Sequence, residues 1–163
     1  MRKTIVTLVV LSTLFAAAPA SAMGTWTWPV VGPVVQGFDP PGSPYGSGHR
    51  GIDIATPVGT VVRAPAPGVV SFAGTIAGQQ YLTIDHGGEL LSTCSFVSSL
   101  LVREGDLVAQ GQAVALSGVG HPGDTIPDLH FGVRLNGQYV DPYDYLGPVS
   151  VVDLIRLAPL GPG

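Results

Sequence analysis

Glycine and proline punctuate this chain every few residues, 23 and 15 of 163, with short runs rich in Val, Ile and Thr between them. Within a helix each glycine costs roughly 1 kcal/mol and each proline roughly 3 kcal/mol relative to alanine, so such spacing selects against long helices. β-branched runs bounded by turn residues are instead the signature of strands. The pattern predicts an all-β domain, a compact antiparallel β-sheet or β-sandwich. Strands are expected over 51–55, 60–64, 68–73, 80–85, 89–94, 102–108, 112–117, 129–135 and 138–140. In 80–85 the alternation puts Tyr81, Thr83 and Asp85 on one face. Gly87-Gly88 can turn that strand into the next, Gly105-Asp106 puts a turn inside 102–108, and Asn136-Gly137 is a strong two-residue hairpin signal. The apolar run 26–35 is broken by Pro29 and Pro33, and residues 38–48 and 118–127 read as loops. Only 151–157 suggests a helical turn or two, ended by Pro159 and Pro162.

The first residues bear on compartment. Arg2 and Lys3 precede an uncharged apolar run, and Ala20-Ser21-Ala22 has the small-x-small form of a cleavage site. This predicts a signal peptide over 1–22, a β domain over 23–147 and a C-terminal tail over 148–163. The expected location is secreted or cell-wall associated. Removing 1–22 leaves five arginines and no lysine against eleven acids, a net charge of −6. No basic patch is available for nucleic acid. Cys94 is the only cysteine, so neither an intramolecular disulfide nor a cysteine metal cluster can form; a small buried hydrophobe is its expected role.

Chemistry is left to a few side chains. His49 and Asp53 stand four apart in Gly-His-Arg-Gly-Ile-Asp, where a loop enters a strand, and Gly51 gives the backbone room to turn both toward one point. Imidazole and carboxylate together suit zinc. In Asp128-Leu129-His130-Phe131-Gly132-Val133-Arg134, alternation places Asp128, His130, Gly132 and Arg134 on one face and Leu129, Phe131, Val133 and Leu135 on the other. Gly132 would leave space beside His130. His86 sits in a Gly-rich turn and reads as structural or exposed. His121, in the loop before Asp128, could reach the site if that loop folds over it. Tyr45 and Arg50 are candidate groove residues.

These segments together resemble the LytM/lysostaphin-type family of zinc peptidases, which cut peptide bonds in peptidoglycan. His49 and Asp53 match its His-x-x-x-Asp motif, and Asp128-Leu129-His130-Phe131 matches His-Leu-His-Phe. Residues 62–70, 84–88 and 102–108 and the run Tyr139-Val140-Asp141-Pro142 add to the likeness, in order, across about 26–147. The resemblance implies a LytM-like antiparallel β fold around a groove, with zinc on His49, Asp53 and His130. It implies peptidoglycan stem peptides as the partner.

Two positions depart from the pattern. The family's two helper histidines correspond to Phe96 and Asp128, so the chain resembles short exported members from high-GC Gram-positive bacteria that lack both. Asp128 becomes the expected catalytic residue, as a base near the metal or as a further ligand. The function implied is a zinc metalloendopeptidase acting on peptidoglycan crosslinks, with activity left uncertain by the two replacements. The alternative is an inactive zinc-containing domain that binds peptidoglycan or regulates a partner cell-wall hydrolase.

Overall fold

The computed structural model describes residues 26–43, 46–123 and 125–148. The expected signal peptide, most of the expected tail, the helical turn over 151–157, and Tyr45 lie outside the described residues. The described residues form ten antiparallel strands: β1 (Val34–Gln36), β2 (Ile52–Ala55), β3 (Val61–Arg63), β4 (Gly68–Ile76), β5 (Gln79–Asp85), β6 (Leu90–Leu100), β7 (Leu107–Val108), β8 (Ala113–Ser117), β9 (Asp128–Leu135) and β10 (Gln138–Val140). A short 3-10 turn, Pro142–Asp144, follows them. The sheet runs β1-β2-β9-β6-β5-β4-β7, with β10 beside β9 and β8 bridging β6 to β3. This is the almost all-β antiparallel architecture that the spacing of turns predicts.

Local chemistry explains the connections. Asn136 and Gly137 both take positive φ, 51° and 76°, which suits the tight β9–β10 hairpin. Gly87 and Gly88 turn β5 into β6, where His86 N donates to Leu90 O. The expected strand over 102–108 is corrected: only Leu107–Val108 is strand. Arg103 N donates to the Asp106 side chain at 2.8 Å, and Asp106 N to Arg103 O at 3.1 Å. Within the turn, backbone hydrogen bonding to β4 is limited to Val70, which donates to Asp106 O and accepts from Gly105 N.

β9 places one face in the core. Leu129, Phe131 and Val133 have no exposed surface, and Ile52, Ile54, Leu82, Ile84 and Val114 pack in the same apolar cluster. Burying each such side chain contributes about 1.5–3 kcal/mol, so this one cluster fixes the register of the central strands. The alternate residues of β9 are thereby committed to the opposite face.

β6 is longer than the expected 89–94 because it serves two neighbours. Its first half pairs with β9 and its last residues with β8. At the change, Gln80 and Tyr81 of β5 oppose Val97 and Ser95, leaving Phe96 as an extra residue with φ 60°. Such a bulge re-aims a side chain, and Phe96 turns into the groove described next.

Candidate metal centre

Strand register brings the first two groups together. Asp53 of β2 lies directly across from His130 of β9. His49 precedes β2 and is pinned by a two-bond backbone bridge with Asp39. Gly51 permits the close approach: a Cβ there would lie 2.3 Å from Phe131 O and 2.9 Å from His130 Nε2.

Three ligand atoms form a near-equilateral triangle. His49 Nε2 is 3.1 Å from Asp53 Oδ1, His130 Nδ1 is 2.8 Å from the same oxygen, and the two nitrogens are 3.0 Å apart. With metal–ligand bonds of about 2.0–2.1 Å, the edge of a tetrahedral zinc shell is roughly 3.3 Å, close to these separations. The donor set fits. His49 Nδ1 lies 2.7 Å from Gly37 O. A carbonyl only accepts, so Nδ1 carries the hydrogen and Nε2 keeps its lone pair for the metal.

His121 completes the cluster. Its Nε2 is 3.2 Å from His130 Nδ1 and 3.4 Å from Asp53 Oδ1. It follows Gly120, whose φ of 86° turns the β8–β9 connection back over the sheet. The four residues His49, Asp53, His121 and His130 can hold a metal ion, with one ligand atom from each all within 4.8 Å of one another. The expectation that Phe96 and Asp128 leave the centre without its helper histidines is therefore overturned. The His/Asp cluster is complete, because a histidine of the loop before Asp128 enters it in space. Neither replacement removes a member: Phe96 packs its ring 4.5 Å from that of His121. The expectation that His121 could reach the site if its loop folds over it is met: the loop closes and His121 joins the cluster.

Electrostatics favour the metal-binding protonation states. Burial works to raise the Asp53 carboxyl, but the His130 hydrogen bond and the charges of His130, His49 and His121 outweigh it and hold it below the usual range. Burial pushes His130 down, with the His49 and His121 charges acting the same way against the pull of Asp53. A deprotonated carboxylate and a neutral imidazole are what a cation requires.

The cluster opens onto a groove of about 720 Å³ lined in part by Phe72, Tyr81, Phe96, Arg134 and Tyr139. Arg50 also lines it. Asp128 is not among the residues that line this groove. It is 2% exposed, sits across from Ala55, and its carboxylate packs against Gly120. With Asp53 it lines a separate cavity of about 190 Å³ beside Gln36 and Thr125. His86 is remote from the centre. It bonds Pro67 O and Ser92 Oγ and packs on Trp26 at 4.5 Å between ring centroids.

An antiparallel sheet with a buried His/Asp metal cluster beneath an open groove defines a metallohydrolase-type domain. The comparison with known families makes it specific: residues 47–142 match the model of peptidase family M23, and the chain belongs to that family. It is 34% identical to outer membrane antigenic lipoprotein B of Haemophilus influenzae over 131 residues, 79% of this chain and 31% of that protein. It is 36% identical to murein hydrolase activator NlpD of Escherichia coli over 129 residues, 78% of this chain and 32% of that one. The chain thus spans about a third of the length of these curated relatives. Among solved structures, a zinc containing peptidase from Vibrio cholerae superposes with a TM-score of 0.64 at 30% identity, covering 76% of this chain and 41% of that one.

Proposed function

We propose that this domain is a zinc endopeptidase that hydrolyses peptide crosslinks of peptidoglycan outside the cytoplasm. The observation that carries it is the triangle of His49 Nε2, Asp53 Oδ1 and His130 Nδ1 at the floor of an open groove. These three residues would hold the zinc, which when bound supplies a Lewis acid for polarising a peptide carbonyl. Asp53 contributes the negative charge, and the bond from His49 Nδ1 to Gly37 O fixes its ring. The extracytoplasmic location is supported by Arg2-Lys3, the apolar run and Ala20-Ser21-Ala22, and by the envelope location in the name of the Haemophilus relative. On this reading the mature chain starts at Met23 and its domain ends near Gly147.

Hydrolysis needs a group that takes a proton from water and returns it to the leaving amine. Asp128 is the expected base from its position two residues before His130. A specific observation favours His121 instead. Its side chain is 34% exposed and lines the groove, whereas Asp128 lines a separate, smaller cavity. We assign the proton to His121 Nε2, with Asp128 fixing the loop beneath Gly120.

The test is to incubate the zinc-loaded protein with purified peptidoglycan and measure newly released amines. Release that disappears in His49→Ala and His130→Ala supports the proposal. One zinc per chain with no release overturns it. That result would favour a second reading, in which His121 closes the shell as a fourth ligand, as in structural zinc sites. The domain would then bind peptidoglycan or regulate a wall hydrolase, the role named for the Escherichia relative.

A further inference from the structure

Two arginines approach the ring of Tyr139 at the groove. The guanidinium carbons of Arg50 and Arg134 lie 5.9 Å and 5.7 Å from its ring centroid. All three residues line the groove. Arg50 leads into β2, Arg134 lies in β9, and Tyr139 of β10 is the cross-strand partner of Arg134. Three strands thus converge to build this part of the groove.

Its charge runs against that of the chain. Acids outnumber Lys and Arg by 11 to 7 overall, yet the described lining contains both arginines and no Asp or Glu. Two like charges around one ring repel each other. Stacking on tyrosine offsets this only weakly at an accessible site. Stacking also occupies the face of a guanidinium rather than its in-plane N–H donors, which form a fork matched to carboxylate geometry. A bond from Arg50 to Gly46 O at 3.2 Å helps to hold its guanidinium at the groove.

The position relative to the metal is set by β9. His130, Gly132 and Arg134 alternate onto one face, so the Cα atoms of His130 and Arg134 are separated by about 13 Å of strand. Gly132 lies between them. A Cβ there would meet Arg50 O at 3.1 Å and His130 Nε2 at 3.9 Å, so the missing side chain keeps the floor low between cluster and arginines.

We infer that Arg50, Tyr139 and Arg134 form a subsite for a carboxylate of the substrate peptide, within about four residues of the bond cut. The inference rests on the peptidase reading and adds to it a charged determinant of specificity.

The test compares two crosslinked stem peptides that differ only in one free carboxylate converted to its primary amide. Both are given to the unaltered zinc-loaded protein, with cleavage followed by chromatography and binding by titration calorimetry. A charge-assisted bond is worth about 1.5–3 kcal/mol, so the carboxylate form should be favoured roughly 10- to 100-fold, mainly in KM or Kd. Arg134→Gln and Arg50→Gln should each shrink the preference without changing zinc content, and Arg134→Lys should restore part of it. Equal handling of the two peptides by the unaltered protein overturns the inference, as does a preference that survives both glutamine variants. Cleavage without preference defeats the subsite alone, whereas preferential binding without cleavage defeats the peptidase reading and leaves the subsite standing.

Discussion

Gly51→Ala tests whether the metal centre depends on close approach of β2 and β9. The new Cβ would lie 2.3 Å from Phe131 O, 2.8 Å from its carbonyl carbon and 2.9 Å from His130 Nε2. Reaching ordinary van der Waals contact requires the β9 backbone to recede by about 1 Å. That backbone is held by the pairings of Ile52 with Phe131 and Asp53 with His130, and Phe131 is fully buried. Overpacking of this kind costs about 1–3 kcal/mol, and a backbone obstacle puts the cost near the upper end. At about 2–4 °C per kcal/mol for a domain of this size, Tm should fall by about 6–12 °C. A shift of His130 by a comparable distance exceeds the ~0.5 Å tolerance of a preorganised site. Zinc affinity should therefore drop at least tenfold, or about 1.4 kcal/mol. Scanning calorimetry of the metal-free protein and zinc competition against a chelator read the two effects separately. A Tm within about 1 °C of the parent, with unchanged zinc affinity, would refute the reasoning, since the strands would then have room that the geometry denies them.

Other outcomes follow from the same geometry. If His121 carries the proton, His121→Ala should lower kcat by about 10²–10⁴-fold with one zinc per chain retained, while Asp128→Asn should mainly lower stability; the reverse ranking in kcat would return the base role to Asp128. Burial depresses His86, against the opposing pulls of Pro67 O and Asp85. A folded-state value below the unfolded one gives stability that is present above the unfolded value and lost as pH falls through the folded one. Unfolding free energy should thus decline as pH drops below the ordinary histidine value of about 6.5, and denaturant titrations should show a shallower decline in His86→Gln. Burial pushes the Cys94 thiol up to about 12. Native protein should leave a thiol reagent unreacted at pH 8 and consume one equivalent only after denaturation; rapid native labelling would show that β6 opens.

The sequence by itself determined the strands, most of the turns and the direction in which β9 faces. Period-two alternation, Asn136-Gly137 and Gly87-Gly88 are local signals, and local sterics fix what they do. It also presented His49, Asp53 and His130 as candidates, because their motifs are short and lie on strand or strand-entry segments. What the sequence could not carry was the distance between groups remote in the chain. Asp53 and His130 meet only because β2 pairs with β9 in one register, 77 residues apart. His121 reaches them only because Gly120 turns the loop before β9, so one histidine outside the motif positions joins the cluster in space. Phe96 likewise reads as a lost histidine in one dimension, and the branching of β6 makes it a bulged residue against which His121 packs. A metal centre is a set of distances, and those depend on the register of long-range pairing, which the buried face of β9 fixes once the whole sheet has formed.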